Sequence, residues 1–154
     1  ELDGNRLGDG GAWALGELQS AQGIRSLHLN LLRTDLGHSG VRALAQLLDA
    51  PTAPWRTLVL EVQANNLGDA GAFALAEHVR RARTLRCLTI DLRGNAISAA
   101  GVQALSGLQS TATLQKAMFH MDPPWHVIGY CAPAADANLL GPAGQAGSLH
   151  GLGA

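Results

Sequence analysis

The chain has 154 residues, 47% of them hydrophobic and only 15% charged, and its 11 Lys plus Arg nearly balance 12 Asp plus Glu for a formal net charge of −1. That length allows one continuous core or roughly five short repeat units, and the near-balance of charge argues against a general nucleic-acid or membrane-surface binder. Two cysteines, Cys87 and Cys131, make no disulfide framework; no apolar run approaches the ~18 residues of a membrane span, and no signal peptide is visible, so a reducing, intracellular compartment, the cytoplasm first, is expected.

Taken along the chain, one block recurs. It reads Leu7-Gly8 with Gly11-Ala12-Trp13-Ala14-Leu15, then Leu36-Gly37 with Gly40-Val41-Arg42-Ala43-Leu44. It returns as Leu67-Gly68 with Gly71-Ala72-Phe73-Ala74-Leu75, and as Ile97-Ser98 with Gly101-Val102-Gln103-Ala104-Leu105. The leading residues stand 29, 31 and 30 positions apart, a period that belongs to solenoids, in which each unit packs only on its neighbours. Between the blocks, alternation at Leu27/Leu29/Leu31, Leu58/Leu60/Val62 and Leu88/Ile90/Leu92 predicts strands. Asn5, Thr34, Asn65 and Asn95 follow the last strand apolar residue by three positions, where a side-chain amide or hydroxyl can bond the backbone of a bend.

The apolar residues one, three and four places after each block glycine predict helices over roughly 10–21, 39–50, 70–83 and 99–110. The Pro51–Pro54 stretch lengthens one return loop. Ala117–Met121 reads as a fifth strand; residues 122–137 read as an insertion loop; residues 138–154 read as a degenerate repeat, a C-terminal cap or a tail, since Asn138–Gly144 again resembles the turn-to-helix block but lies 43 residues beyond the last one. The chain opens at Glu1 inside a repeat, which reads as a piece of a longer protein whose first unit needs a further repeat, a cap or another subunit to cover it.

The pattern resembles the leucine-rich repeat in its long, ribonuclease-inhibitor-like subtype; residues 88–97, followed by Gly101 and Leu105, carry the best match, and the resemblance covers about residues 1–121. The resemblance implies an α/β solenoid with a curved parallel sheet on the concave side and helices on the convex side.

Three surfaces compete as partner contacts. On the concave face, one row reads Glu1, Asn30, Glu61, Asp91, His120 and its neighbour His28, Val59, Thr89, Met118; Glu61 and Asp91 are expected side by side as an acidic stripe suited to a partner's Arg or Lys, or as a solvated face with none. On the convex face, Trp13 and Phe73 sit two residues after a block glycine, about 180° from the buried stripe, where they either meet a partner or pack laterally. In the insertion, Trp125, Val127, Ile128 and Tyr130 have no place in the repeat core and either contact a partner or cap the open end of the solenoid; this segment with its adjoining strand, residues 118–133, is favoured. The arginines at 80, 81, 83 and 86 read as solvated complements of a helix C-terminus. His120, Asp122, His126 and Cys131 are zinc-ligand types without a recognisable spacing, so no metal, cofactor or catalytic residue is assigned. The expected function is a non-catalytic protein–protein interaction module, a scaffold subunit or arm of a larger intracellular assembly; the alternative is the regulatory segment of a GTPase-activating or nucleotide-sensing protein, which the repeat subtype also serves.

Overall fold

The structure, a computed structural model, describes residues 2, 4–21, 23–49, 55–110, 114–125 and 127–131. Strands and helices alternate: α1 (Gly8–Gly16), β1 (Ser26–Asn30), α2 (His38–Asp49), β2 (Thr57–Glu61), α3 (Gly68–Arg81), β3 (Cys87–Asp91), α4 (Ala99–Ser106), β4 (Lys116–His120) and β5 (Val127–Cys131), with 3₁₀ turns at Glu17–Ser20 and Gly107–Ser110. The expected helix spans of the first and fourth units are thus divided between an α-helix and a tighter turn. The strands form one five-stranded sheet in chain order, β1 to β4 parallel and β5 antiparallel to β4. Each helix packs on the next, forming a second layer behind the sheet.

The core lies between these layers and repeats with the sequence. Leu58, Leu60, Leu88 and Ile90 point inward from the strands and Leu44, Leu75 and Leu105 meet them from the helices, all of them essentially without exposure. Removing such a side chain from water contributes roughly 1.5–3 kcal/mol. The first strand is less covered: Leu27 is only half-buried and Ile24 is exposed.

The bends after the strands hold adjacent units together. Asn65 Nδ2 donates to Leu31 O at 2.8 Å, Val62 O at 2.9 Å and Gln63 O at 3.2 Å, while its Oδ1 accepts from Thr34 N at 3.1 Å and Leu36 N at 3.0 Å. Asn95 repeats the donor half one unit on, to Val62 O at 2.8 Å and Leu92 O at 3.0 Å. Thr34 does the weaker version, donating to Leu31 O at 2.9 Å. The bend also requires left-handed backbone, at Arg33, Ala64 and Gly94 in successive units (φ +53°, +51° and +71°); only at Gly94 would a Cβ crowd the preceding turn, 3.2 Å from Ala64 N and Cα.

A second tie joins helix starts. Asp9 Oδ1 accepts from Gly37 N at 2.8 Å, and Asp69 accepts from Ser98 N at 2.8 Å and Ser98 Oγ at 2.6 Å. The Ser98 hydroxyl, the Ser98 amide and the Gly101 amide hold the Asp69 carboxyl below its ordinary pKa.

One expectation changes here. The segment 122–137 is not wholly a loop: Val127–Cys131 turns back and pairs with β4, because a hairpin satisfies the outer hydrogen-bonding edge of β4 that a loop would leave open. The Pro51–Pro54 stretch, His126 and residues 132–154 lie outside the described residues.

Candidate functional site: the concave face and its terminal hairpin

The parallel register builds the two outward rows. Asn30, Glu61, Asp91 and His120 are direct strand-to-strand partners, and so are His28, Val59, Thr89 and Met118. β5 continues both, Val127 beside His120 and Gly129 beside Met118. The concave surface is therefore polar along the strand ends and changes to apolar at the hairpin, where Val127 is 47% and Trp125 36% exposed.

The electrostatics correct the picture of an open acidic stripe. Glu61 and Asp91 are neighbours as expected, but each carboxylate already has a basic group from this chain. His28 Nε2 lies 2.6 Å from Glu61 Oε1, a diagonal pair across β1 and β2. Arg93 closes on Asp91 with two nitrogens, Nε to Oδ1 at 2.9 Å and Nη2 to Oδ2 at 2.6 Å, while the Arg93 amide adds a bond to Oδ1 at 3.2 Å. Asp91 is consequently buried rather than presented. Its burial acts to raise its pKa; the Arg93 hydrogen bonds, the guanidinium charge and His120 outweigh that and hold the carboxyl below its usual value. The row presents paired charge with Asn30, Glu61 and His120 at partial exposure, suited to hydrogen-bonded contact more than to capture of a bare cation. His28 and Arg93 are the residues that sequence reasoning left without a role. The signal for Arg93 was its position two residues after Asp91 in the turn; for His28 it was the diagonal spacing that the strand alignment already contained.

The hairpin is locked to the same rim. Asp122 Oδ2 accepts from Gly94 N at 2.8 Å, and Trp125 N donates to Asp122 O at 3.2 Å, so the turn bearing Trp125 is held against the bend after β3. The two other hairpin candidates enter the sheet as backbone: Ile128 is in register with Phe119 and Tyr130 with Ala117, while their side chains lie outside the described residues. The convex candidates stand apart from this face. Trp13 is 54% and Phe73 49% exposed, on α1 and α3 with Arg42 of α2 between them, so they form two separate apolar spots.

Of the helix-end arginines, Arg81 pairs with Glu77 at 2.6 Å and Arg80 donates to Ala104 O at 3.4 Å. Among the described residues no three His, Cys, Asp or Glu side chains converge as metal ligands; of the set weighed for zinc, His126 and the Cys131 side chain are outside that description. Among those residues, too, no helix is long and apolar enough to cross a membrane.

In comparison with known families, residues 56–76 and 84–106 fit the family model described as Leucine Rich repeat. The matched stretches are the third and fourth units, β2 with α3 and β3 with α4. With the parallel strands and their backing helices they make an α/β leucine-rich-repeat fold. No curated protein matches the chain.

Proposed function

We propose that this leucine-rich-repeat chain is a non-catalytic protein-docking module whose contact surface is the concave end formed by β3, β4 and the β4–β5 hairpin. The observation that carries it is the exposed Trp125 and Val127 on a hairpin pinned by Asp122, beside the ordered polar row of Glu61, Asp91 and His120. An aromatic anchor next to satisfied polar groups is the composition of an interface centre with its rim, and a turn already held in place loses little freedom on docking. The carboxylates of this face are tied to His28 and Arg93 of the same chain rather than left poised for proton transfer, which favours binding over catalysis. Units near thirty residues with one helix each favour the ribonuclease-inhibitor-like subtype, and cysteine usage favours the cytoplasm. A role as one subunit of a larger assembly is the use to which such a surface is suited.

The test compares the full chain with Trp125→Ala, Val127→Asp and a control pair, Trp13→Ala with Phe73→Ala, as baits for co-purifying proteins. Loss of a specific partner with the hairpin variants at unchanged melting temperature supports the reading. Loss only with the convex pair moves the site to the helices. A large fall in melting temperature for Trp125→Ala with capture intact assigns that residue to capping the solenoid instead.

A further inference from the structure

The alternation of hydrogen bonds along β4 fixes which groups of β5 are free. Lys116 N donates to Arg86 O at 3.0 Å and Leu92 N to His120 O at 2.8 Å, so Lys116, Met118 and His120 turn their backbone groups toward β3. Successive residues of a strand face opposite ways, which leaves Ala117 and Phe119 to exchange hydrogen bonds with Tyr130 and Ile128, their register partners in β5. Val127, Gly129 and Cys131 therefore aim their N–H and C=O groups away from β4, and β5 is the last strand of the sheet. Val127 and Gly129 are exposed, and among the described residues nothing pairs with that outer edge.

Two features set this edge apart. Sheets usually blunt an edge with charge or proline, yet Val127-Ile128-Gly129-Tyr130-Cys131 carries neither. The open run is also bounded and symmetrical. Before it, Trp125 N is spent on Asp122 O at 3.2 Å; after it in the sequence, Pro133 has no N–H to offer. The outward residues thus centre on Gly129. The opposite edge of the sheet differs, because the chain itself covers part of it: Leu2 N donates to Asn30 O at 3.1 Å and Gly4 N to Leu32 O at 2.8 Å.

We propose that β5 pairs antiparallel with β5 of a second copy of this chain, about a two-fold axis at Gly129, so that the two sheets become one. The axis sets Gly129 opposite Gly129 of the second copy, and Val127 opposite Cys131 in both directions. Each of these hydrogen-bonded pairs exchanges two bonds, about six in all, and every outward group of the run is satisfied. A two-fold contact must be self-complementary. A run centred on its own middle residue meets that demand, which selects a second copy over an unrelated strand. Glycine suits the axis, because directly opposed residues share one face at close range and two glycines bring no side chains into collision there. The formal net charge of −1 opposes the approach of two copies only weakly. An edge-to-edge contact is small beside the roughly 1,200–2,000 Å² of a stable interface, so the dimer is a reversible one of micromolar strength.

The contact uses the backbone of the sheet edge and leaves the concave side chains open, so it goes beyond the docking reading above and can fail or stand independently of it. The experiment follows the full chain by sedimentation equilibrium from low to high micromolar concentration, where a reversible monomer–dimer equilibrium is expected. At Gly129 a Cβ would meet Ala117 O at 3.4 Å and Met118 Cγ at 3.7 Å, ordinary contact, so Gly129→Lys leaves β5 in place and sets two ammonium groups against each other across the axis. It should raise the dissociation constant about tenfold or more, whereas Ala70→Lys, on the exposed side of α3, should leave it unchanged. A second variant gains a signal instead of losing one. With Cys87→Ser and Cys131→Ser, Gly129→Cys should give a disulfide-linked dimer on mild oxidation, since the Cα atoms of such a pair lie about 5.5 Å apart, within disulfide reach; Ser26→Cys on β1 in the same background should not. Circular dichroism of each variant confirms that the fold is retained. A full chain that stays monomeric throughout overturns the proposal, and dimerisation on deleting residues 132–154 would then assign the edge to that segment. A dimer indifferent to Gly129→Lys, or crosslinking at position 26 equal to that at 129, overturns it as well.

Discussion

Single side chains in this molecule hold units to one another more than they hold their own unit. Asn65 makes five hydrogen bonds spanning two units, and Asn65→Ala takes that partner from five part-buried backbone groups. It should cost about 2 kcal/mol or more in urea unfolding, whereas Asn5→Ala, at an exposed bend, should cost much less. Gly71 is a packing requirement: a Cβ there stands 2.8 Å from Leu67 Cβ and 3.0 Å from Val41 Cγ1, while at Gly107 it would meet only the end of the Arg80 side chain at 3.5 Å. Gly71→Val should therefore destabilise by about 1–3 kcal/mol and Gly107→Val by no more than about 0.5 kcal/mol; equal denaturation midpoints contradict this. Asp91 adds a pH dependence. Its folded pKa is depressed, so its contribution is complete above the unfolded value of about 3.9 and is lost as pH falls through the lower folded value. Asp91→Asn should be less stable than the parent at pH 7, with the difference shrinking in unfolding curves taken at progressively lower pH.

At the level of elements, the strands and helices were legible because each carries its own periodicity: Leu58/Leu60/Val62 alternates, and Gly71 with Ala72, Ala74 and Leu75 marks one helical stripe. What was not legible was β5. Val127-Ile128-Gly129-Tyr130-Cys131 has strand-forming residues around a central glycine, but nothing in the repeat announces an antiparallel return, and the decision to pair rests on the open edge of β4. The pairing of the acidic row was only half visible, since Arg93 lies in a bend whose geometry the strand pattern does not fix. The two strands of the hairpin should differ sharply in weight. Phe119 is 2% and Val127 47% exposed, so Phe119→Ala should cost about 3–5 kcal/mol and Val127→Ala about 0.5 kcal/mol or less in thermal or chemical melts. Asp122→Ala removes the acceptor of the Gly94 amide; faster hydrogen exchange at that one amide, with the remaining sheet protected as before, is the expected signature of a released hairpin turn.

At the scale of the whole molecule, the same thirty-residue period that builds the core also sorts the surface. It puts the row of Asn30, Glu61, Asp91 and His120 on the concave side and the bend residues Thr34, Asn65 and Asn95 along one rim, because a residue repeated at a fixed place in the unit becomes a stripe across the stack. Those stripes could be read from the alignment of units as soon as the register was known; the weight of each could not, because it depends on which charges find partners within the chain. The most direct measurement of the central claim is site-specific photocrosslinking in a lysate of the source cells, with a benzophenone side chain placed at Val127 in one preparation and at Phe73 in another. A protein adduct from position 127 and none from position 73 is predicted; an adduct from position 73 alone, or equal labelling from both, contradicts docking through the concave hairpin face.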